Sequence, residues 1–249
     1  MEGAATTKFT VLAKVVRRTD RMLVTMGEMD ASEAEWQLDV ASVAALEWAR
    51  RAGGAGTEIT VLSWAPAEQE GLLRQLLAQG AHRLMRITTP LGAEEATDPL
   101  VVADGLVQGI KAAGAEAVFC GSRSSDEGRG ATGPMVAALL GWPFSEAETG
   151  GGAQAGATAD PGAASVTGPA VVAVDPLGPK PAKPNFMAVS RAFKVPVEGL
   201  EVQVRRPLVQ YTGIIPGTER GRGREVLAGT ELDEALSLLM VRLRERWVF

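Results

Sequence analysis

The sequence has few of the residues that carry out covalent or metal-dependent catalysis. Its 249 residues include one cysteine, Cys120, and one histidine, His82. A single cysteine excludes a disulfide within the chain and gives none of the clustered spacings of zinc or iron–sulfur ligands. His82 has no nucleophile near it in the sequence, so it is interpreted as a structural or surface residue. We predict no metal site and no catalytic residues.

Long apolar runs are also missing. The first apolar run, residues 9–16, is interrupted by Lys14, and no stretch approaches the roughly 18 apolar residues that would span a bilayer. Residues 1–7 are small and polar and do not resemble a signal peptide. We therefore expect a cytoplasmic protein without membrane insertion.

The sequence also lacks an excess of positive charge. The net charge is −5 at pH 7, which argues against a nucleic-acid partner, since such a partner selects for a basic stripe. The arginines nevertheless gather at the end of the chain, where eight of them follow residue 204. A basic tail on an acidic protein is typical of a contact surface.

Short apolar runs do alternate with amphipathic stretches through the first 150 residues. The predicted strands are 9–16, 58–63, 84–87 and 117–120, and the predicted helices are 38–51, 66–79, 98–113 and a fourth that starts at 134. Repeated strand–helix units predict an α/β fold, with a parallel sheet flanked by helices on both faces. Folds of this kind bind ligands at the carboxyl ends of the strands.

The later part of the chain has a different character. Residues 149–168 are rich in Gly, Ala, Ser and Thr and predict a loop or a poor hairpin, while 170–174 predicts one more buried strand. Residues 175–185 contain four prolines and predict an extended surface loop. Residues 230–246 predict a final helix, with Thr230 as its N-cap. We divide the chain into an α/β domain, residues 1–200, and a C-terminal arm, residues 201–249.

The most informative segment is GSRSSDEGRGATG, residues 121–133, which lies between a predicted strand and a predicted helix. Its glycines allow the backbone N–H groups to approach a phosphate, and the helix N-terminus adds partial positive charge. Arg129 offers a fixed charge, and Asp126 offers a carboxylate that could orient the loop or accept a hydrogen bond from a base or ribose. The segment matches neither a Walker loop nor GxGxxG, and its composition equally describes a flexible turn.

Several segments, in order, are similar to the β subunits of electron transfer flavoproteins. The acidic pair Asp126-Glu127 is followed by Thr132-Gly133 and then by PMVAALLGWP, and the strand–turn–helix unit EITVLSWAPAEQEGLLRQLLAQGAHR spans 58–83. AVVAVD and PNFMAVSRAFKVPVEGL follow later in the chain. The resemblance covers most of the chain, and the order of the motifs is more specific than any one of them.

This resemblance implies a fold, a function and partners. The fold would be adenine nucleotide alpha hydrolase-like, and the chain would be the β subunit of a heterodimer whose α subunit carries FAD. The β subunit would bind AMP structurally and support electron transfer from dehydrogenases to an acceptor, with the arm 201–249 against the α subunit. The loop 175–185 would recognise dehydrogenases through Leu177.

The resemblance also implies a set of nucleotide-binding residues. Leu12, Ala13 and Trp64 would form walls around the adenine, although Trp64 is equally interpretable as a core or interface aromatic. The full set is Leu12, Ala13, Gln37, Leu38, Trp64, Gly121, Ser122, Arg123, Asp126, Gly128, Arg129, Gly130, Ala131 and Thr132. The chain departs from the family at 35–39, where Glu-Trp-Gln-Leu-Asp replaces Asn-Pro-Phe-Asp-Glu, and its recognition loop is about three residues short.

Three alternatives remain open. Bifurcating relatives hold a second FAD in place of AMP, although Thr132 before Gly133 favours the AMP type. A stand-alone adenine-nucleotide-binding module would explain the glycine-rich loop but not the proline-rich loop or the basic tail. An adenylating ligase should show a phosphate loop after the first strand, and none follows residues 9–16.

Overall fold

A computed structural model describes residues 6–18, 23–25, 28–30, 34–53, 56–88, 98–147, 168–204, 207, 237 and 240. The chain divides into two units, residues 1–214 and 215–249. Of the second unit only Ser237 and Met240 are described, and both are helical. Apart from these two, the predicted helix 230–246 lies outside the described residues, as does nearly all of 149–168. The division after residue 200 stays a prediction.

The described residues form eleven strands and five α-helices. In chain order they are β1 (Lys8–Ala13), β2 (Val15–Arg17), β3 (Leu23–Thr25), β4 (Glu28–Asp30), β5 (Trp36–Leu38), α1 (Val40–Gly53), β6 (Glu58–Ser63), α2 (Glu70–Ala78), β7 (Arg83–Thr88), α3 (Pro99–Ala113), β8 (Ala117–Gly121), α4 (Thr132–Leu140), β9 (Phe144–Ala147), β10 (Ala170–Val174), α5 (Phe186–Ala192) and β11 (Val197–Glu201). None of the helices in this described part of the chain has both the length and the hydropathy to cross a bilayer.

Seven strands form one parallel sheet, in the order β11-β7-β6-β1-β8-β10-β9. Successive residues of a strand enter different hydrophobic clusters on the two faces of the sheet: Val61 packs with α1 and α2, and Leu62 packs with α3. Because both faces are buried at the centre of the sheet, β8 and β10 are apolar throughout, and β1 and β6 carry only a threonine between their end residues. The predicted α/β class, a parallel sheet flanked by helices, is confirmed.

Helix α3 shows how local sequence signals set the ends of an element. Asp98 caps its start by accepting a hydrogen bond from the amide of Leu100 at 2.8 Å, and Pro99 occupies the first helical position. Gly114 ends the helix in the left-handed conformation, with φ of 66°. The predicted range 98–113 is therefore confirmed.

The predicted strand 9–16 is wrong as a single element, because the chain leaves the sheet at Lys14. The amide of Lys14 donates to the Ser42 hydroxyl at 2.9 Å, and its carbonyl accepts from the amide of Asp39 at 3.0 Å. Strand β2 then pairs antiparallel with β5, which places Leu38 in a strand and not in the predicted helix. The predicted helix 66–79 begins later than expected, since 67–69 form a 3-10 turn before α2.

The sequence patterns also missed β9 and α5. Strand β9 extends the sheet beyond β10, and α5 is capped by Asn185, whose side chain accepts a hydrogen bond from the amide of Ala188 at 2.9 Å. Between β10 and α5, residues 175–185 form neither helix nor strand, as their four prolines predict.

Candidate functional site

A cavity of about 640 Å³ opens at the carboxyl ends of β1, β6, β7 and β8. The chain runs from β1 to β6 on one side of the sheet and reaches β8 on the other side of β1. The loops after β1 and β8 therefore diverge, and such a switch point is where open parallel sheets bind ligands. The amino ends of α3 and α4 complete the rim.

Most of the residues expected to bind a nucleotide line this cavity. They are Leu12, Ala13, Trp64, Gly121, Ser122, Arg123, Asp126, Arg129, Gly130, Ala131 and Thr132. Gln37, Leu38 and Gly128 do not line it, and Leu38 instead packs against the hydrophobic cluster beneath α1 and α2. Their neighbours Trp36 and Asp39 do reach the cavity.

The glycine-rich loop, residues 121–131, has a conformation that requires glycine at Gly130. Its φ is 64°, and a Cβ there would lie 2.9 Å from the carbonyl oxygen of Ser122. The amide of Ser122 donates a hydrogen bond to the carbonyl of Val174 at 2.8 Å, so Ser122 cannot move away from an added Cβ without straining this bond. Gly128 shares the φ of 64°, but a Cβ there would stand 3.8 Å from its nearest neighbour. Only Gly130 is therefore constrained by both backbone conformation and space.

Charged side chains tie this loop to the start of the ribbon formed by β2 and β5. The Lys14 ammonium lies 2.8 Å from the Asp126 carboxylate and 3.8 Å from that of Glu127. Arg129 pairs with Glu127 at 3.4 Å. The charged groups at this end of the cavity are thus largely paired with one another.

Asp39 fixes the middle of the loop. One of its carboxylate oxygens accepts hydrogen bonds from the Ser125 amide at 3.1 Å and the Ser125 hydroxyl at 2.8 Å. Burial raises the pKa of Asp39 above its ordinary value, although the bonds from Ser125 oppose this shift. Burial acts in the same direction on Asp126, but hydrogen bonds from Lys14 and Ser124 outweigh it and hold that pKa below its ordinary value.

An apolar wall lies between the strand ends and α3. The indole of Trp64 packs against Gly105, where any Cβ would overlap the ring. Leu12, Ile87 and Leu106 continue the wall. A flat aromatic surface beside aliphatic side chains is suited to holding a planar base.

The sequence patterns missed two polar residues of this cavity, Ser63 and Arg86. Ser63 is buried and Arg86 is half-buried, and neither the Ser63 hydroxyl nor Arg86 Nε has a hydrogen-bond partner within the described residues. The available signal was an arginine inside the apolar run Leu-Met-Arg-Ile of β7. That signal gains meaning only once the strand is known to end at a cavity.

Cys120 and His82 have structural explanations. Burial raises the pKa of the Cys120 thiol to about 12, so the thiol stays protonated and is not a nucleophile at neutral pH. His82 accepts a hydrogen bond at Nδ1 from the amide of Ile59 at 3.0 Å, at the start of β6. Among the described residues no cluster of histidine, cysteine or acidic side chains is arranged to hold a metal ion.

A parallel sheet flanked by helices, with a cavity at its switch point, defines a Rossmann-like α/β class of protein. The model of one family, the electron transfer flavoprotein domain, matches residues 27–205. The chain therefore belongs to the electron transfer flavoprotein domain family.

Three curated relatives agree with this assignment, and each is an electron transfer flavoprotein subunit beta. The protein from Methylophilus methylotrophus is 38% identical over 86 residues, which are 34% of this chain and 32% of the relative. The Bradyrhizobium diazoefficiens protein is 36% identical over 90 residues, 36% of this chain and 34% of the relative. The Mus musculus protein is 33% identical over 86 residues, 34% of each chain.

The chain spans about a third of the length of the curated relatives that it matches. Within that limit, the resemblance to electron transfer flavoprotein β subunits expected from the sequence is confirmed.

Proposed function

We propose that this chain is the β subunit of a heterodimeric electron transfer flavoprotein. It holds AMP in the cavity as a structural ligand and supports electron transfer from dehydrogenases to an acceptor through an FAD bound mainly by the α subunit. The observation that carries the proposal is the cavity at the carboxyl ends of β1, β6 and β8, bordered by the glycine-rich loop.

The cavity offers what an adenine mononucleotide needs at both of its ends. Trp64 and Leu12 provide an apolar wall for the base. Helix α4 begins after Ala131, which has no side-chain oxygen to cap it, so the first amide N–H groups of the helix remain as donors for a phosphate. Lys14 and Asp39 hold the glycine-rich loop in place for this contact.

The chemistry of the proposed function belongs to the flavin, which passes electrons between donor and acceptor. The β subunit needs only to bind and position, and this is compatible with a buried, protonated Cys120 and a His82 engaged by the backbone. No step of the proposal requires a nucleophile or general base from the described residues.

The proline-rich loop, residues 175–185, supports the proposal of a dehydrogenase contact. The Leu177 side chain is 84% exposed. A tight turn presents it, since the Asp175 side chain accepts from the amide of Leu177 at 2.7 Å and the Asp175 carbonyl accepts from the amide of Gly178 at 2.8 Å. A large apolar side chain fixed outward on a stiff loop is suited to insertion into a pocket on another protein.

The proposal is tested by co-expressing the chain with an electron transfer flavoprotein α subunit from the same source and quantifying the nucleotides released on unfolding. We expect one FAD and one AMP per heterodimer. Two FAD and no AMP would replace the AMP proposal with a bifurcating type. The absence of a stable heterodimer would contradict the subunit proposal and favour a stand-alone nucleotide binder.

A further inference from the structure

We propose that Ser63 and Arg86 form an oxyanion-binding subsite of the cavity, distinct from the glycine-rich loop, and that it binds a phosphate group. This proposal rests on the proposed function only in that AMP is one possible source of the phosphate.

The register of the sheet brings the two residues together. Ser63 is the last residue of β6, and it is paired with Arg86 across the parallel ladder between β6 and β7. Paired residues on adjacent strands point to the same face of the sheet, about 4.8 Å apart along the ladder. The side chains of Ser63 and Arg86 therefore leave the same face of the sheet from neighbouring positions, and both line the cavity.

Both polar groups are left without partners in the described protein. Ser63 is only 1% exposed, and its hydroxyl, like Arg86 Nε, is shielded from water without a hydrogen bond. Leaving a buried donor unsatisfied is unfavourable, and more so for a charged group. The oxygens of a bound oxyanion would supply acceptors for these donors.

No acid of the cavity lining is left to neutralise Arg86. Asp126 and Glu127 are engaged by Lys14, and Asp39 accepts the two hydrogen bonds from Ser125. Among the described residues no carboxylate lies within ion-pair distance of Arg86. The guanidinium, with its planar set of N–H donors, matches the oxygens of a phosphate.

The subsite is carried by different strands from the glycine-rich loop. That loop follows β8, whereas Arg86 is on β7, and β1 and β6 lie between these strands. Three strand spacings of about 4.8 Å separate them by roughly 14 Å. The ends of β6 and β7 and the loop after β8 therefore contribute separate sets of polar groups to the same cavity.

The test is calorimetric titration of the full-length chain, in the assembly in which it purifies and with its nucleotide removed, by inorganic phosphate, AMP and adenosine in turn. Arg86→Gln is compared with wild type and with Lys111→Gln, which removes a charge from an exposed position in the last turn of α3. We expect Arg86→Gln to weaken phosphate binding about tenfold or more, as the loss of a charge-assisted hydrogen bond implies. Lys111→Gln is expected to have no effect.

The same titrations identify the source of the phosphate. If the phosphate of AMP occupies the subsite, Arg86→Gln weakens AMP binding but not adenosine binding, and free phosphate competes with AMP. If a separate anion occupies it, Arg86→Gln leaves AMP binding unchanged, and phosphate binds to the AMP-saturated protein. Either result supports the subsite.

Two further variants keep the test decisive if Arg86→Gln folds poorly. Ser63→Ala should weaken phosphate binding by a few-fold, because it removes one neutral hydrogen bond. Arg86→Lys should retain part of the affinity through its charge. The proposal is overturned if Arg86→Gln and Ser63→Ala bind both phosphate and AMP within twofold of wild type. A wild-type chain that binds phosphate through Arg86 but never binds AMP would contradict the AMP proposal alone.

Discussion

The two ends of the cavity differ in how far their polar groups are already satisfied. At the glycine-rich loop, Asp126 and Asp39 are engaged by Lys14 and Ser125. At the ends of β6 and β7, Ser63 and Arg86 have buried polar atoms that find no hydrogen-bond partner among the described residues. The glycine-rich loop therefore has a preformed shape. The ends of β6 and β7 carry Arg86, whose charge no described carboxylate neutralises.

This difference shows that a glycine-rich motif marks where the backbone can approach a ligand, but not where the side-chain charge is available. The charges of the loop serve to hold its conformation. The unmatched donors are on regular strands, where register positions them with little freedom. We expect substitutions at the loop to act through shape and substitutions at the strand ends to act through charge.

The largest effect is expected at Gly130. Gly130→Ala forces a left-handed conformation costing about 1–2 kcal/mol and also crowds the Ser122 carbonyl, so AMP affinity should fall by at least tenfold. The matched control is Gly128→Ala, which has the same φ of 64° without the crowding. AMP titration and denaturant unfolding of both variants check this prediction. Equal losses of affinity would show that the shape of the loop at Gly130 is not what binds the ligand.

The apolar wall between the two ends is tested at Gly105. Gly105→Ala overlaps the Trp64 ring, so we expect overpacking to cost about 1–3 kcal/mol of unfolding free energy and to weaken adenosine binding. Gly71→Ala is the control, since a Cβ there meets nothing within 4 Å, and it should stabilise α2 by about 0.5–1 kcal/mol. Unchanged adenosine affinity in Gly105→Ala would remove Trp64 from the binding surface.

The two acids of the loop end should give opposite dependences of stability on pH. The pKa of Asp126 is lowered by folding, so its contribution is present above its unfolded pKa and is lost as the pH falls through its folded pKa. The pKa of Asp39 is raised by folding, so stability decreases as the pH rises between its unfolded and folded pKa.

The measurement is the unfolding free energy of Asp126→Asn and Asp39→Asn across the acidic pH range. Each variant should lack the pH dependence that its own carboxyl group contributes in the wild type. We expect at most about 1 kcal/mol for Asp126, because Lys14 is partly exposed and the ion pair is screened. Asn at position 39 retains an oxygen that can accept from Ser125. If both variants changed the pH profile in the same direction, the assignment of opposite pKa shifts would be wrong.

The smallest effect on either end of the cavity is expected from Leu177→Ala. Its side chain is 84% exposed, so the unfolding free energy should change by no more than about 0.5 kcal/mol and AMP affinity should not change. Reduction by a dehydrogenase partner should slow, as measured by flavin absorbance. Lys180→Ala, an exposed residue of the same loop, serves as the control. Equal rates for both variants would contradict the anchoring role.

Elements that are defined by strong local signals in their own residues could be predicted from the sequence. The strands Glu58–Ser63 and Ala170–Val174 are runs of β-branched and apolar residues, and their bounds agree with the prediction. Helix α3 is defined by a cap, a proline and a terminal glycine, all of which are local features. The glycine-rich loop was located for the same reason.

Features that depend on distant contacts could not be predicted. The break at Lys14 arises from hydrogen bonds to Ser42 and Asp39, more than 20 residues away. The pairing of Ser63 with Arg86 requires the register between two strands, which no pattern within either strand specifies. Position 38 carries a leucine compatible with either a helix or a strand, and its pairing with Val15 decided the outcome.

We propose that the adenine nucleotide binds in the cavity at the carboxyl ends of the strands, and this proposal underlies the predictions above. It is tested most directly by photolabelling the full-length protein with 8-azido-AMP and identifying the labelled peptides by mass spectrometry, with excess AMP as competitor. We expect labelling, suppressed by AMP, in the peptides that contain Trp64 or Leu12 and Ala13, which form the walls of the cavity. Competable labelling confined to segments that do not line the cavity would contradict it.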